Sequence, residues 1–254
     1  MITLGHYSIP SNILDIIMKC ALCLIENELC DSHIIPEFFY KPLYDEKHRM
    51  NIIPLSSEQR KKYEQKGIRE KLLCQRCEGQ ISKYESYARK VFFGGTELIY
   101  YQGNPITILN INYTYFKLFQ LSLLWRASVS QHIFFNQVSL GPHENRIREM
   151  IYYEKPGVHM EYPCAIMGIF RTEQKELLDD LVMPPDLVRH DGHRIYRFVL
   201  GGCFWFFFVS SHTFSIPLNE FILNQEGIIR IPLRNFAGTD YCMGLVHDYQ
   251  QHNK

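Results

Sequence analysis

The sequence predicts an α+β fold in two parts, a small cysteine-bearing module followed by a mixed domain with a central buried helix. Three observations lead there. Two Cys-x2-Cys pairs stand at Cys20/Cys23 and Cys74/Cys77, "NINYTYFKLFQLSLLWRASVSQ" (110–131) is apolar on nearly every face, and strand-like segments separated by Gly and Pro follow residue 160. Composition changes across "FGGTELIYYQGNP", whose punctuation sets a boundary between residues 93 and 105, giving parts 1–95 and 96–254.

Each element has its own signal. Pro10, followed by Ile13, Leu14, Ile17 and Met18 at helical spacing, predicts a short helix over Ser11–Lys19 that leads into Cys20. "SSEQRKKYEQKG" (56–67) has a Ser cap, an early Glu, later basic residues and a Gly stop, and reads as an exposed helix. Ile81, Tyr84, Tyr87, Ala88 and Val91 predict a helix over 78–92, starting right after Cys77. The apolar stretch 110–131 is a buried helix, and "GPHENRIREMIYYEKPG" (141–157) an amphipathic one bounded by Pro142 and Pro156-Gly157. Residues 162–172 have strand composition, and 172–185 reads as a short helix ended by prolines. "HRIYRFVL" and "CFWFFFVS" flank Gly201-Gly202 as a hairpin, and 226–233 is a further strand.

Composition excludes some functions. Lys+Arg and Asp+Glu number 27 each in 254 residues, so any surface for a polyanion must be local. The N-terminus has no basic segment ahead of an apolar run, which predicts an intracellular, cytoplasmic protein. The longest apolar stretch, 198–209, is far too short to cross a bilayer and is broken by two glycines, so no membrane role is expected. No Gly-rich phosphate loop, serine elbow or dinucleotide fingerprint is present, so ATP use by this chain has no support.

In a reducing compartment, spaced cysteine pairs are better read as metal ligands than as disulfides. Cys20, Cys23, Cys74 and Cys77 have the pattern of a four-thiolate structural zinc site, with an unusually long intervening segment. Cys164, Cys203 and Cys242 stand alone among apolar neighbours and read as small buried hydrophobes. His190-x2-His193 encloses Asp191-Gly192, and the two histidines are expected to flank a bend.

The order of knuckle, "SHIIP" (32–36) and "LLCQRCE" (72–78) running into a helix resembles the HNH endonuclease superfamily. More narrowly it resembles a branch in which "LWRASVS" and "LGP-x-E-x2-IR" segments follow. The resemblance implies a ββα-metal, treble-clef module with a structural Zn²⁺ on the four cysteines. It also implies hydrolysis of phosphodiester bonds in DNA assisted by a separate catalytic Mg²⁺ or Mn²⁺, and a genome-defence setting beside a separate ATPase or sensor protein.

Under it His33 is the general base, taking a proton from water while the ion polarises the phosphate. Glu78 and Glu85 are the candidate ion ligands, hard oxygen donors two turns apart on one helix. Two positions depart from the family pattern. Ser32 stands where an Asp or His ligand is usual, and Arg69 where an asparagine orients the base.

The same residues admit quieter roles. His33 orients a hairpin, Glu78 favours a helix N-terminus, and Arg126, if buried, requires a carboxylate partner that Glu78 or Glu85 would supply. The rival to the nuclease is therefore a non-catalytic zinc module that recognises nucleic acid or a protein. A third reading makes the aromatic hairpin around Trp205 an interface. The basic segment 60–71 is either a phosphate-contacting surface or a solvated face.

Overall fold

The computed structural model describes residues 18–52, 62–171, 176–190, 192–210 and 219–239. The chain is a mixed α+β structure whose sheets are small except for one of five strands.

The cysteine-bearing region starts with a two-residue ladder, β1 (Met18–Lys19) against β2 (Glu26–Asn27), closed by the Cys20–Cys23 turn. Most of the expected helix over Ser11–Lys19 lies outside the described residues, and its end, Met18–Lys19, is strand. β3 (Leu29–His33) then precedes two 3-10 turns and β4 (Met50–Ile52), which pairs with β5 (Lys62–Glu64). β5 corrects the helix expected over 56–67, of which 56–61 lies outside the described residues. Exposed-helix propensity there gives way to pairing with β4, reinforced by the Arg49 guanidinium 4.8 Å over the Tyr63 ring.

β6 (Arg69–Cys74) pairs antiparallel with β3 and runs directly into α1 (Gln75–Phe93). Ile81, Tyr84, Ala88 and Val91 form the buried face of α1, as their spacing predicts, and Gly94 at φ +83° ends it.

β7 (Ile99–Tyr101) and β8 (Ile106–Leu109) make a hairpin absent from the sequence reading. It leads to α2 (Tyr113–Val129), whose first turn is capped by Asn112 Oδ1 accepting from the Tyr115 amide at 3.1 Å. Every residue from Phe116 to Ala127 is buried, Lys117, Gln120, Ser122 and Arg126 included. α3 (His143–Tyr152) starts beside Pro142 and ends ahead of Pro156-Gly157, as expected, its end set by Glu154 at φ +57°.

The large sheet has the order β10-β11-β12-β9-β14, built from β9 (Cys164–Phe170), β10 (Met183–His190), β11 (His193–Leu200), β12 (Cys203–Val209) and, parallel to β9, β14 (Leu233–Asn235). β13 (Ile229–Ile231) joins β8 instead. The β11–β12 hairpin turns at Gly201 and Gly202, both at positive φ, as expected for a two-residue loop. The helix expected over 172–185 is corrected where it is described. Leu177 bridges to Phe170, and Met183 to Pro185 open an edge strand with a register shift at the two prolines. An edge strand tolerates Pro because one row of its N–H groups has no partner to lose.

One apolar core is shared by α1, α2, α3 and the inner face of the large sheet, and Phe38 and Phe39 of the first 3-10 turn reach into it. Residues on both sides of the 93–105 segment belong to it. Trp205 is 0% exposed, among Phe39, Phe92, Phe116 and Phe119, so the hairpin interface expected around it is corrected to core. Among the described residues, no helix is long and apolar enough to cross a membrane.

Candidate functional site

The two Cys-x2-Cys pairs converge, with the sulfurs of Cys20, Cys23, Cys74 and Cys77 all within 4.8 Å of one another. The Cys23 and Cys74 sulfurs are 3.9 Å apart, close to the edge of about 3.8 Å that a tetrahedron with Zn–S bonds of about 2.3 Å requires. Leu24, at φ +63°, donates its amide to the Cys20 carbonyl at 2.9 Å and closes the first knuckle. Cys74 ends β6 and Cys77 sits in the first turn of α1, so one strand-to-helix junction supplies both remaining sulfurs. The Cys74 amide lies 3.3 Å from the Cys20 sulfur as its donor.

The donor set fits a thiophilic dication. Burial, then the charge of Cys20 and contacts with the other sulfurs, pushes the Cys77 thiol far above its ordinary range. Four crowded thiolates are unfavourable without a cation, and a bound dication deprotonates them outright. These four residues would hold zinc, which supplies a cross-link between the β1–β2 turn and the head of α1. Among the described residues they are the one group of three or more His, Cys, Asp or Glu side chains placed to share an ion.

Successive residues of β3 face opposite ways, which separates Ser32 from His33. Ser32 is 0% exposed; its Oγ donates to Glu78 Oε2 at 2.7 Å and accepts from the Leu73 amide at 3.2 Å. The candidate ligand Glu78 is thus hydrogen-bonded straight to Ser32. His33 Nε2 lies 2.9 Å from Glu37 Oε2, and the Tyr44 hydroxyl donates to the other Glu37 oxygen at 2.8 Å. Burial and that hydrogen bond push the Tyr44 phenol up to about 12, so it stays a donor through neutral pH.

Arg69, opposite His33 on β6, is 3.8 Å from Glu37 and 3.9 Å from Asp31. Arg126 is 1% exposed and has the carboxylate partner its burial demands, Glu85, at 2.6 Å. Its Nη1 donates to the His33 carbonyl at 2.6 Å and its Nε to the Ser122 carbonyl at 3.2 Å. One guanidinium therefore ties α2 to α1 and to the end of β3.

His33 and Glu85 do share a surface, a shallow pocket of about 270 Å³ between α1 and the 3-10 turns, lined also by Glu37, Phe38, Lys41, Ser82, Ser86 and Arg89. Glu78 is not part of it. Sequence reasoning missed Glu37, although it stands four residues after His33 in "HIIPE", and missed two braces from α3. Arg148 Nη1 donates to the Leu22 carbonyl in the first knuckle at 2.8 Å. Gln80 of α1 donates to the Ile151 carbonyl at 2.7 Å and the Tyr152 carbonyl at 3.1 Å.

Elsewhere the histidines 190 and 193 face each other across the β10–β11 bend, as expected. Cys164 and Cys203 are buried, while Cys242 lies outside the described residues. Of the basic segment, 60–61 lies outside them too; Lys71 donates to the Leu29 carbonyl and Arg69 is engaged as above.

The class this geometry defines is an α+β protein with a four-cysteine centre suited to a metal ion. No family model, curated relative or solved structure matches the chain.

Proposed function

We propose that this chain is a zinc-stapled module of HNH-like, treble-clef ancestry that recognises nucleic acid without cutting it. The order of hairpin knuckle, β3–β6 pair and α1 with two cysteines at its head supports the treble-clef reading. The observation that carries the function is the engagement of both candidate ligands, Glu78 by Ser32 and Glu85 by Arg126. An ion placed between β3 and α1 would have to break the part-buried Ser32–Glu78 hydrogen bond or separate a carboxylate from a buried guanidinium. Each costs on the order of 1–3 kcal/mol or more. Cations also remain open along α1 and on the adjoining 3-10 turn. Lys41, Arg76, Lys83, Arg89 and Lys90 have no acidic partner among the described residues. Unpaired Lys and Arg supply the sequence-independent part of nucleic-acid binding.

Full-length, zinc-loaded protein is expected to shift single- or double-stranded DNA in an anisotropy titration, with binding that weakens steeply with salt and survives His33→Ala. With Mg²⁺, Mn²⁺ or Ni²⁺ it is expected to leave both substrates intact.

The second reading, a metal-dependent nuclease acting on DNA, is favoured by the His33–Glu37–Tyr44 chain, an oriented imidazole at the edge of an open pocket. Cleavage that His33→Ala abolishes while zinc content stays at one per chain would replace the binding reading with this one. The genome-defence setting and the companion ATPase or sensor rest on the resemblance alone.

A further inference from the structure

We infer that the pocket beside His33 seats a terminal phosphate, the monoester at the end of a nucleic-acid strand, held by Lys41 and Arg89 with Ser82 and Ser86. The inference rests on the nucleic-acid reading above and names the part of the ligand that this pocket takes.

Ser82, Glu85, Ser86 and Arg89 stand at three- and four-residue intervals and form one stripe of α1 facing the 3-10 turns that carry Glu37, Phe38 and Lys41. Both carboxylates of the pocket are already engaged. Glu85 pairs with Arg126, and Glu37 is held by His33 and Tyr44 with Arg69 close by. The Lys41 ammonium, the Arg89 guanidinium and the two serine hydroxyls have no hydrogen-bond or ion-pair partner among the described residues. The pocket thus presents two free cations and two neutral donors to solvent.

Size and charge select the ligand. At about 270 Å³ and open to solvent, the pocket has room for a phosphate head group. A phosphate monoester carries about −1.5 to −2 at neutral pH, matched by two cations, whereas an internal phosphodiester carries one charge. The guanidinium offers a planar fork for two phosphate oxygens, and the ammonium a point charge for a third.

The rest of the strand has a track. Arg76, Lys83 and Lys90 recur every seven residues on the adjoining exposed face of α1, about 10 Å apart along the axis, and none has an acidic partner among the described residues. A row of cations leading away from a pocket suits a repeating polyanion, and this decides for a nucleic acid over a phosphopeptide.

The test is anisotropy with full-length, zinc-loaded protein and one labelled oligonucleotide in four forms: 5′-phosphorylated, 3′-phosphorylated, doubly hydroxylated and duplex. A terminally phosphorylated strand is expected to bind at least tenfold more tightly than its hydroxylated twin. Lys41→Ala/Arg89→Ala should erase that ratio while leaving zinc content and thermal melting unchanged, since both side chains are exposed. Arg76→Ala/Lys83→Ala/Lys90→Ala should weaken all forms and keep the ratio.

Equal binding of phosphorylated and hydroxylated strands overturns the pocket and leaves the nucleic-acid reading standing. Calorimetry with a nucleoside monophosphate, inorganic phosphate and a phosphoserine peptide separates the two failures. If no strand binds but the monophosphate does, lost in the Lys41/Arg89 variant, the monoester pocket stands and the nucleic-acid reading falls. Preference for the phosphopeptide, or no binding of any of these probes, overturns the inference.

Discussion

The two sides of β3 differ in what their polar groups do. On the Ser32 side the serine and its polar neighbours have protein partners. Ser32, Glu78 and the Leu73 amide satisfy one another, and the four sulfurs stand within a few residues of them. On the His33 side Glu37 is hydrogen-bonded and Glu85 ion-paired, and the Lys41 and Arg89 cations are left over. Satisfied buried groups hold elements together, and unsatisfied exposed ones are available to a ligand. The difference separates groups that hold the fold together from groups left open to solvent across a single strand, and substitutions on the two sides should therefore read out differently.

The largest effect belongs to the sulfur centre. Chelating the metal, or Cys74→Ser, removes a term of about 10 kcal/mol of the kind structural zinc contributes, more than most domains can lose. The cooperative thermal transition should vanish, and metal analysis of the native protein should give one zinc per chain. A sharp transition at its native midpoint after complete demetallation would break the stapling side of the comparison.

Arg126→Met should cost about 3–5 kcal/mol in urea unfolding, because Glu85 and the His33 carbonyl lose a buried partner. Adding Glu85→Leu should recover a large part of it, and a double-mutant coupling near zero would mean the pair is not the clasp described. Ser32→Ala should follow at about 1–3 kcal/mol, through the hydroxyl lost to Glu78 and Leu73. His33→Ala, on the open side, should change stability by less than about 1 kcal/mol.

A pH experiment sharpens the view of the core behind both sides. Burial lowers the Lys117 ammonium to about 8, its one hydrogen bond going to the Tyr162 carbonyl at 2.6 Å. Its folded value lies below the unfolded value of about 10.4, so the unfolded chain binds more protons between pH 8 and 10. The Lys117 contribution therefore makes stability rise with pH across that window. Lys117→Met should remove this rise and stabilise the protein at pH 7, by on the order of 2 kcal/mol. The check is the difference between wild-type and variant urea midpoints at pH 7, 8.5 and 10.

Much of this was legible because it obeys local rules. The four cysteines follow from spacing, α1 from periodicity, α2 from a run apolar on nearly every face, and the Arg126 partnership from the cost of an unpaired buried charge. Other features were set by distant residues. Lys62–Glu64 looks helical until β4 is beside it, and Met183–Pro185 becomes strand only because β11 supplies a neighbour. Of the two glutamates nominated together, just Glu85 reaches the His33 pocket. Their shared helical face was visible in the spacing, but the position of β3 across that face was not. Glu37 was readable as the i+4 neighbour of His33, had the intervening "IIP" suggested a 3-10 turn.

Arg148 gives the molecule an order of completion. All four sulfurs have been synthesised once Cys77 is made, yet the arginine that braces the first knuckle through the Leu22 carbonyl lies 126 positions beyond that leucine. At about 5–20 residues per second, roughly 4 to 14 s of translation separate Cys77 from Arg148. The four sulfurs can therefore be offered to a metal ion well before the brace is made, and an ion bound there would organise the newborn segment on which the later helices settle.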